Sequence, residues 1–243
     1  MSYVSEKGRQ NVHSKRWANE QAKAQRIEYA AGAAKPMKLT RAEAQELERK
    51  VLDKSRKNDI IETEKFNPLS TSEAVPKMRE LSDKWIAIIT PEEYYSLSKY
   101  TKNSGDADDN KFYKRLNSAL RNDSGIDERL KQHSDNISSA ISKFELSDDI
   151  ICYRSTKKNY FSEYKVGDEF SPKYFLSSSV AKNGVLKGNY ITEIYASKGS
   201  KCAYIEKLSK YPKQREVLFD KSCKFKVLEK DNKRMKIEVI KDD

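Results

Sequence analysis

The hydrophobic period changes once along this chain, close to residue 149, and that change constrains the fold more than any other feature. Before it, apolar side chains recur three and four residues apart, as in "NKFYKRLNSALRND" (110–123) and "DERLKQHSDNISSAISKF" (127–144), which indicates amphipathic helices. After it, short segments rich in β-branched and aromatic residues alternate with polar turns, which indicates strands. Helices followed by strands predict an α+β fold with a mostly antiparallel core of one or two sheets.

The strand and helix boundaries can be placed from local signals. A helix should begin in "IITPEEYYSLSKY", where Thr90 is the N-cap, Pro91 occupies the first helical position and Glu93 completes a capping box. The predicted strand segments are "IICYRST", "EFSPKYFLSSS", "YITEIYA", "KCAYIEK", "REVLFDK", "CKFKVLEKD" and "RMKIEVIKD".

The N-terminal third has a different character. Residues 14–58 read as two helices interrupted by "AAGAAKP" (30–36), the second with Thr40 and Glu43 as a capping box. The stretch "FNPLSTSEAVP" (66–76) contains two prolines and several hydroxyl residues, so we expect a linker or exposed loop. These patterns predict a helical extension and linker over residues 1–78, followed by a catalytic domain over residues 79–243.

Charge and composition narrow the function classes. The net charge of +11 divides into +6 over residues 1–60, zero over 61–200 and +5 over 201–243. Basic ends suit an acidic partner such as nucleic acid, a phosphate-rich ligand, a membrane surface or an acidic protein, although solubility alone also explains them. We expect no membrane span and no signal peptide in "MSYVSEKGRQ", a start that a processed secreted chain would share.

Cysteine, histidine and glycine content disfavours several kinds of site. Cys152, Cys202 and Cys223 are too few for a disulfide scaffold or a zinc site, and we expect them to be small apolar side chains in strands. Only His13 and His133 are present, and no Gly-x-Gly-x-x-Gly fingerprint occurs. We therefore expect no metal and no dehydrogenase-type nucleotide fold.

Three features of the strand region occur in a specific order. Arg154 lies in the apolar segment "ICYRS", three serines end "FLSSS" (175–179), and "YPKQREVLF" (211–219) carries Gln214 two residues before Glu216. In an extended segment, residues two apart point to the same side. We therefore expect Gln214 and Glu216 on one face and Arg215 on the other.

This order resembles the Arg–Ser–Glu class of bacterial mono-ADP-ribosyltransferase toxins, and within it the single-domain Rho-inactivating exoenzymes of clostridia and bacilli. The resemblance covers roughly residues 80–240. It implies two roughly perpendicular antiparallel sheets that form a cleft for NAD, with helices ahead of them. The implied activity is transfer of ADP-ribose from NAD to an asparagine of a Rho-family GTPase, with slow NAD hydrolysis beside it.

The resemblance also implies roles for individual residues. Glu216 is the catalytic glutamate, Ser177 orients it, Gln214 selects an asparagine acceptor and Tyr211 recognises the GTPase. "LNSALRN" resembles a helical Asn-x-x-Leu-Arg segment, and "VAKNGVLKGN" (180–189) resembles a phosphate- and nicotinamide-binding loop that here lacks an aromatic residue. The implied NAD-binding residues are Arg154, Arg121, Ser178, Ser179, Asn117, Lys182, Lys187 and Gly184.

Two alternatives remain open. Some relatives with this glutamine modify guanine in nucleic acid, which would suit the +11 charge, although that group tends to carry tryptophan where Tyr211 stands. The other alternative is a silent binding module that works through the basic N-terminal helices. For an enzyme of the kind that the resemblance implies, we expect a secreted monomer that acts in the host cytosol. We expect no stable binding of nucleic acid. Entry into the cell would occur either through a separate cell-binding component or by passive uptake.

Overall fold

The computed structural model describes residues 40, 42, 45, 46, 49, 50, 66–103, 110–122 and 126–241. The chain divides into two units, residues 1–65 and 66–243. In the first unit, the described residues 42, 45, 46, 49 and 50 are helical, and Arg49 forks onto the Glu46 carboxylate at 2.8 and 2.9 Å. The predicted cap partner Glu43 and the break at 30–36 lie outside the described residues.

The second unit begins with four helices. They are α1 (Thr71–Ile86), α2 (Pro91–Thr101), α3 (Phe112–Asn122) and α4 (Glu128–Ser142). The predicted start of α2 is confirmed, since Thr90 Oγ1 accepts from the Glu93 amide and Glu93 accepts from the Thr90 amide. Asp127 caps α4 in the same way by accepting from the Leu130 amide at 2.8 Å.

The linker or loop predicted for residues 66–76 is wrong for residues 71–76, which are helical. Ser70 and Glu73 form a capping box there, and α1 runs through Pro76. A proline inside a helix costs about 3 kcal/mol, but Ala74, Val75 and Met78 of the same segment are buried in the core. Burial of these side chains outweighs the local preference of proline. The predicted division of roles between residues 1–78 and 79–243 stays a prediction.

Eight strands follow the helices, close to where the sequence places them. They are β1 (Ile150–Thr156), β2 (Glu169–Phe170), β3 (Leu176–Ser179), β4 (Tyr190–Ala196), β5 (Cys202–Tyr204), β6 (Glu216–Phe219), β7 (Lys224–Lys230) and β8 (Arg234–Ile240). They form one sheet with the strand order β2-β7-β8-β4-β1-β3-β6-β5. The α+β class is confirmed, and the pairings are antiparallel except for the parallel pair β4–β8.

The two predicted sheets correspond to two parts of this single sheet, which we call its arms. The arm β2-β7-β8-β4-β1 meets the arm β3-β6-β5 through one residue pair, Tyr153 with Ser179. The apolar core continues across both arms and includes buried Phe175, Phe219 and Phe225. Cys152 and Cys202 are buried in strands with free thiols, as predicted, and Cys223 is buried just ahead of β7.

Candidate active site

A cleft of about 730 Å³ opens on the second unit, beside the junction of the two sheet arms. Three strands contribute to its wall, with Arg154 from β1, Ser177 from β3 and Glu216 from β6. The register places Ser179 opposite both Tyr153 and Glu216. Strand pairing therefore brings together three residues that are far apart in the sequence.

Glu216 is the one carboxylate among the described residues that line the cleft. It is 9% exposed, and burial raises its pKa, while the Ser177 hydroxyl and the Arg154 guanidinium oppose that rise. Arg154 also donates from Nη1 to the carbonyl oxygen of Ser177 at 2.5 Å. The arginine thus holds β3 by its backbone and stabilises the ionised form of Glu216.

Gln214 lines the same cleft, but its backbone differs from the extended one that the sequence predicts. Residues Pro212–Gln214 form a 3₁₀ turn, and Arg215 has φ 47° and ψ 52°, in the left-handed region. A non-glycine residue there is uncommon and costs conformational energy. The extended backbone predicted for Gln214 is therefore wrong, because the strand starts only at Glu216, although both residues line the cleft.

Backbone contacts hold this turn in place. Arg215 O accepts from Val180 N at 3.2 Å, and Glu216 O accepts from Ile205 N at 3.0 Å. Gly184 packs so closely that a Cβ there would lie 2.5 Å from Gln214 O and 2.4 Å from Ser179 Oγ. The loop that carries Gly184 is therefore in direct contact with the turn that carries Gln214.

The helices close the cleft from the other side. Asn117 of α3 donates to Tyr100 Oη at 2.9 Å and to Phe175 O at 3.1 Å, and its Oδ1 accepts from Phe175 N. Burial raises the pKa of the Tyr100 hydroxyl above its ordinary value. The Asn117 amide thus anchors α3 to the start of β3, while Arg121 lies over the Tyr174 ring, 4.3 Å from its centroid.

Several residues assigned to NAD binding from the sequence do not line the cleft. Ser178 is buried and donates to Val217 O at 3.0 Å, because alternate strand residues face opposite sides. Ser179 Oγ bonds the backbone of Ala181. Lys182 lies over the Tyr153 ring, 5.0 Å from its centroid, and Lys187 is exposed. The cleft instead receives Arg154, Arg121, Asn117 and Ser177 from the predicted set.

The structure adds cleft residues that sequence reasoning missed. Tyr160 is 52% exposed and Leu186 66% exposed, and both line the cleft together with half-buried Tyr113. Tyr211 is exposed, and it also borders the cleft. Exposed apolar side chains on loops are the sequence signal that could have identified these cleft residues. Loop sequence alone, however, does not show which loops lie next to each other in the fold.

Metal and membrane features are absent from the described ranges. Those residues contain no cluster of three or more His, Cys, Asp or Glu that could hold a metal ion. No helix in the described part of the chain is both long and apolar enough to cross a membrane.

Comparison with known proteins agrees with this architecture. The C3 exoenzyme of Clostridium limosum superposes with a TM-score of 0.61 at 18% identity, over 72% of this chain and 98% of that one. BECa, an ADP-ribosylating toxin of a binary enterotoxin of C. perfringens solved with NADH, gives 0.55 at 22% identity, over 69% and 48% of the two chains. At these identities the likeness establishes the fold.

Sequence comparison reaches the family. An NAD(+)–arginine ADP-ribosyltransferase, EFV of Enterococcus faecalis, is 29% identical over 168 residues, or 64% of this chain. The match spans only 32% of that relative's length. A family model described as ADP-ribosyltransferase exoenzyme matches residues 78–243, which contain the whole cleft. This chain therefore belongs to the ADP-ribosyltransferase exoenzyme family.

Proposed function

We propose that the chain transfers ADP-ribose from NAD to an asparagine of a Rho-family GTPase and hydrolyses NAD slowly when no acceptor is present. The observation that carries the proposal is the pair at the cleft wall, where a neutral glutamine, Gln214, stands beside the buried carboxylate of Glu216. An acidic partner at this position would suit a basic acceptor, whereas an amide suits another amide.

The cleft has the size and the donors that NAD requires. Its volume of about 730 Å³ falls within the usual range for small-molecule sites. Arg154 and Arg121 both line it, and forked guanidinium donors suit a pyrophosphate. The dinucleotide in the BECa structure supports the same co-substrate for this chain.

The chemistry follows from the charge of Glu216. When the bond between nicotinamide and ribose breaks, nicotinamide leaves with the electron pair and positive charge develops on the ribose. A buried carboxylate can hydrogen-bond a ribose hydroxyl and offset this charge. Burial raises the pKa of Glu216, and the Ser177 hydroxyl and the Arg154 charge oppose that rise, so both neighbours favour the ionised form that the cleavage step needs.

Acceptor placement falls to the connection between β5 and β6. An asparagine amide is a weak nucleophile, so it needs positioning more than it needs a base. The Gln214 amide both donates and accepts hydrogen bonds. Tyr211, 40% exposed at the cleft border, offers an apolar contact to the GTPase surface. The new bond joins the acceptor nitrogen to the ribose, and that nitrogen loses a proton.

An arginine-directed activity is the second candidate. The observation that favours it is the 29% identity to the arginine-directed enzyme of Enterococcus faecalis. Gln214 counts against it, because a neutral amide cannot pair with a guanidinium as a carboxylate does.

The test is a panel of acceptors incubated with labelled NAD. Purified Rho GTPase, actin, agmatine as a free guanidine, and DNA are each offered to the wild type and to Gln214→Glu, Gln214→Ala and Tyr211→Ala, and nicotinamide release is measured alongside. We expect wild-type label on Rho alone, and we expect each variant to lose that label while it retains nicotinamide release.

Each other outcome selects a rival. Label on agmatine or actin supports the arginine-directed enzyme, and label on DNA supports guanine modification. Neither label nor nicotinamide release would leave only a silent binding module. A parallel fall of both activities in Gln214→Ala would assign Gln214 to the NAD site.

The setting completes the proposal. Rho GTPases are cytosolic, so the enzyme would be secreted and would act inside a host cell. A separate cell-binding component, with residues 1–78 as its docking segment, is one entry route to test. Passive uptake is the other.

A further inference from the structure

The beginning of the β5–β6 connection, residues 205–215, is attached to one face of α1. Ser82 Oγ donates to Tyr204 O at 2.9 Å, just before the connection starts. Arg79 then grips the Glu206 carboxylate with both arms of its guanidinium, Nε to Oε2 at 2.7 Å and Nη2 to Oε1 at 2.8 Å. These α1 residues are three apart and therefore share one side of the helix.

A second ion pair continues the same attachment. Lys207 Nζ contacts Asp83 Oδ1, one residue beyond Ser82 on α1. Further along, Thr101 Oγ1 of α2 lies 3.4 Å from both Leu208 O and Lys210 N. The side-chain contacts of the connection with α1 are thus shorter than those with α2.

The Arg79–Glu206 pair is well suited to hold position. The Glu206 side chain is only 9% exposed, against 49% for Arg79. Arg79 lowers the pKa of Glu206 below its ordinary value, and the positive charge of Arg215 acts in the same direction. Two cations therefore act on the buried carboxylate of Glu206: Arg79 on α1, and Arg215, the left-handed residue beside Gln214.

We propose that Arg79 and Glu206 are positioning residues for acceptor transfer, which fix the β5–β6 connection and thereby set the places of Gln214 and Tyr211 relative to Glu216. This inference rests on the proposed function for the roles of Gln214 and Tyr211. Cleavage of NAD does not require the pair, because Arg154, Ser177 and Glu216 are held by strand pairing.

The experiment separates acceptor placement from NAD cleavage. Arg79→Gln, Glu206→Gln and Arg79→Lys are compared with the wild type, and Glu80→Gln is the matched control. Glu80 pairs with Lys84 at 2.7 Å on α1, and both side chains are more than half exposed. Because Arg79→Gln leaves a buried carboxylate unpaired, Glu206→Gln provides a second variant without that charge.

Three quantities are measured for each variant: kcat/KM for Rho labelling, nicotinamide release without acceptor, and the rate of limited trypsin cleavage after Lys210 and Lys213. We expect labelling to fall about tenfold or more in both glutamine variants, while nicotinamide release changes less than about twofold. Trypsin should cut the connection faster, and Arg79→Lys should recover part of the labelling because it keeps the charge. Glu80→Gln should match the wild type in all three.

An unchanged ratio of labelling to nicotinamide release would overturn the proposal, whether the two activities stay constant or fall together. Wild-type trypsin rates in both glutamine variants would also overturn it. If the wild type labels a different acceptor of the panel, the ratio is measured with that acceptor, so that the Rho assignment can fail without deciding the role of Arg79 and Glu206.

Discussion

The two sides of the cleft are built by different means. Arg154, Ser177 and Glu216 stand on three strands whose register is fixed by backbone pairing. Gln214 and Tyr211 stand on a connection with a 3₁₀ turn and a left-handed residue, attached by side chains of α1. On the first side, the positions of the residues are set by backbone pairing between strands. On the second side, they are set by side-chain contacts that a few substitutions can change.

This difference bears on how such an enzyme can change its target. A connection can be rebuilt without moving the strands that carry Arg154, Ser177 and Glu216, since loops tolerate change better than the elements they join. Relatives of one fold can then share cleavage of NAD and differ in acceptor.

The largest expected effect comes from Glu216→Gln, which tests whether the strand side carries the chemistry. The amide keeps the size and loses the charge, so transfer and nicotinamide release should both fall about 10²- to 10³-fold. NAD binding, measured by calorimetry, should stay close to wild type. Wild-type turnover would remove Glu216 from the catalytic role.

The next effect tests whether the two sides are mechanically separate. In Gly184→Ala the new Cβ would meet Gln214 O and Ser179 Oγ, so the turn must shift and transfer should fall about tenfold. Nicotinamide release should fall less. Asn189→Ala, at an exposed position of the same loop, is the control. Equal losses of both activities would show that the loop serves the whole cleft.

A smaller effect is expected for Arg154→Lys, which sharpens the role of the strand side in NAD binding. A lysine keeps the charge but loses the fork, so KM for NAD should rise about tenfold. The acid limb of the pH profile of kcat should also move to higher pH, because the point charge of a shorter side chain opposes the rise in the pKa of Glu216 less well than the guanidinium does. Unchanged affinity for NAD would make the fork purely structural.

The smallest effect concerns stability. The folded-state pKa of Glu216 is raised, so the group favours folding below its ordinary pKa and loses that contribution as pH rises through the folded value. Glu216→Gln should therefore unfold at a slightly higher temperature than wild type at pH 7, and the gain should shrink as the pH falls through the folded-state pKa of Glu216 toward the ordinary pKa of a glutamate. A variant less stable than wild type at pH 7 would contradict this.

The sequence predicts the strand side better than the connection. Thr90, Pro91 and Glu93 locate α2, because capping is a local interaction, and period-two segments locate β1 and β4. Prediction from local sequence signals fails at Pro76 and at Gln214. Pro76 stays in α1 because its neighbours are buried. Arg215 adopts a left-handed conformation, so the extended backbone of β6 does not reach back to Gln214.

The remaining differences arise from packing between distant segments. A serine run does not reveal which member faces the core; in β3 that member is Ser178, which donates to Val217 O of the paired strand β6. The sequence offers Asn117 as an NAD ligand, and the structure shows that its amide also bonds the backbone of Phe175, 58 residues away. Tyr160 and Leu186 meet at the cleft only because their loops converge there.

The single pair between Tyr153 and Ser179 marks the place where the two arms of the sheet diverge, which we call the fork. The cleft lies beside this fork. Across the fork, Arg154 supplies a guanidinium bond to Ser177 O. The same side chain thus fastens the fork and faces its opening, so replacing Arg154 with an apolar residue should loosen the junction of the arms as well as remove a charge.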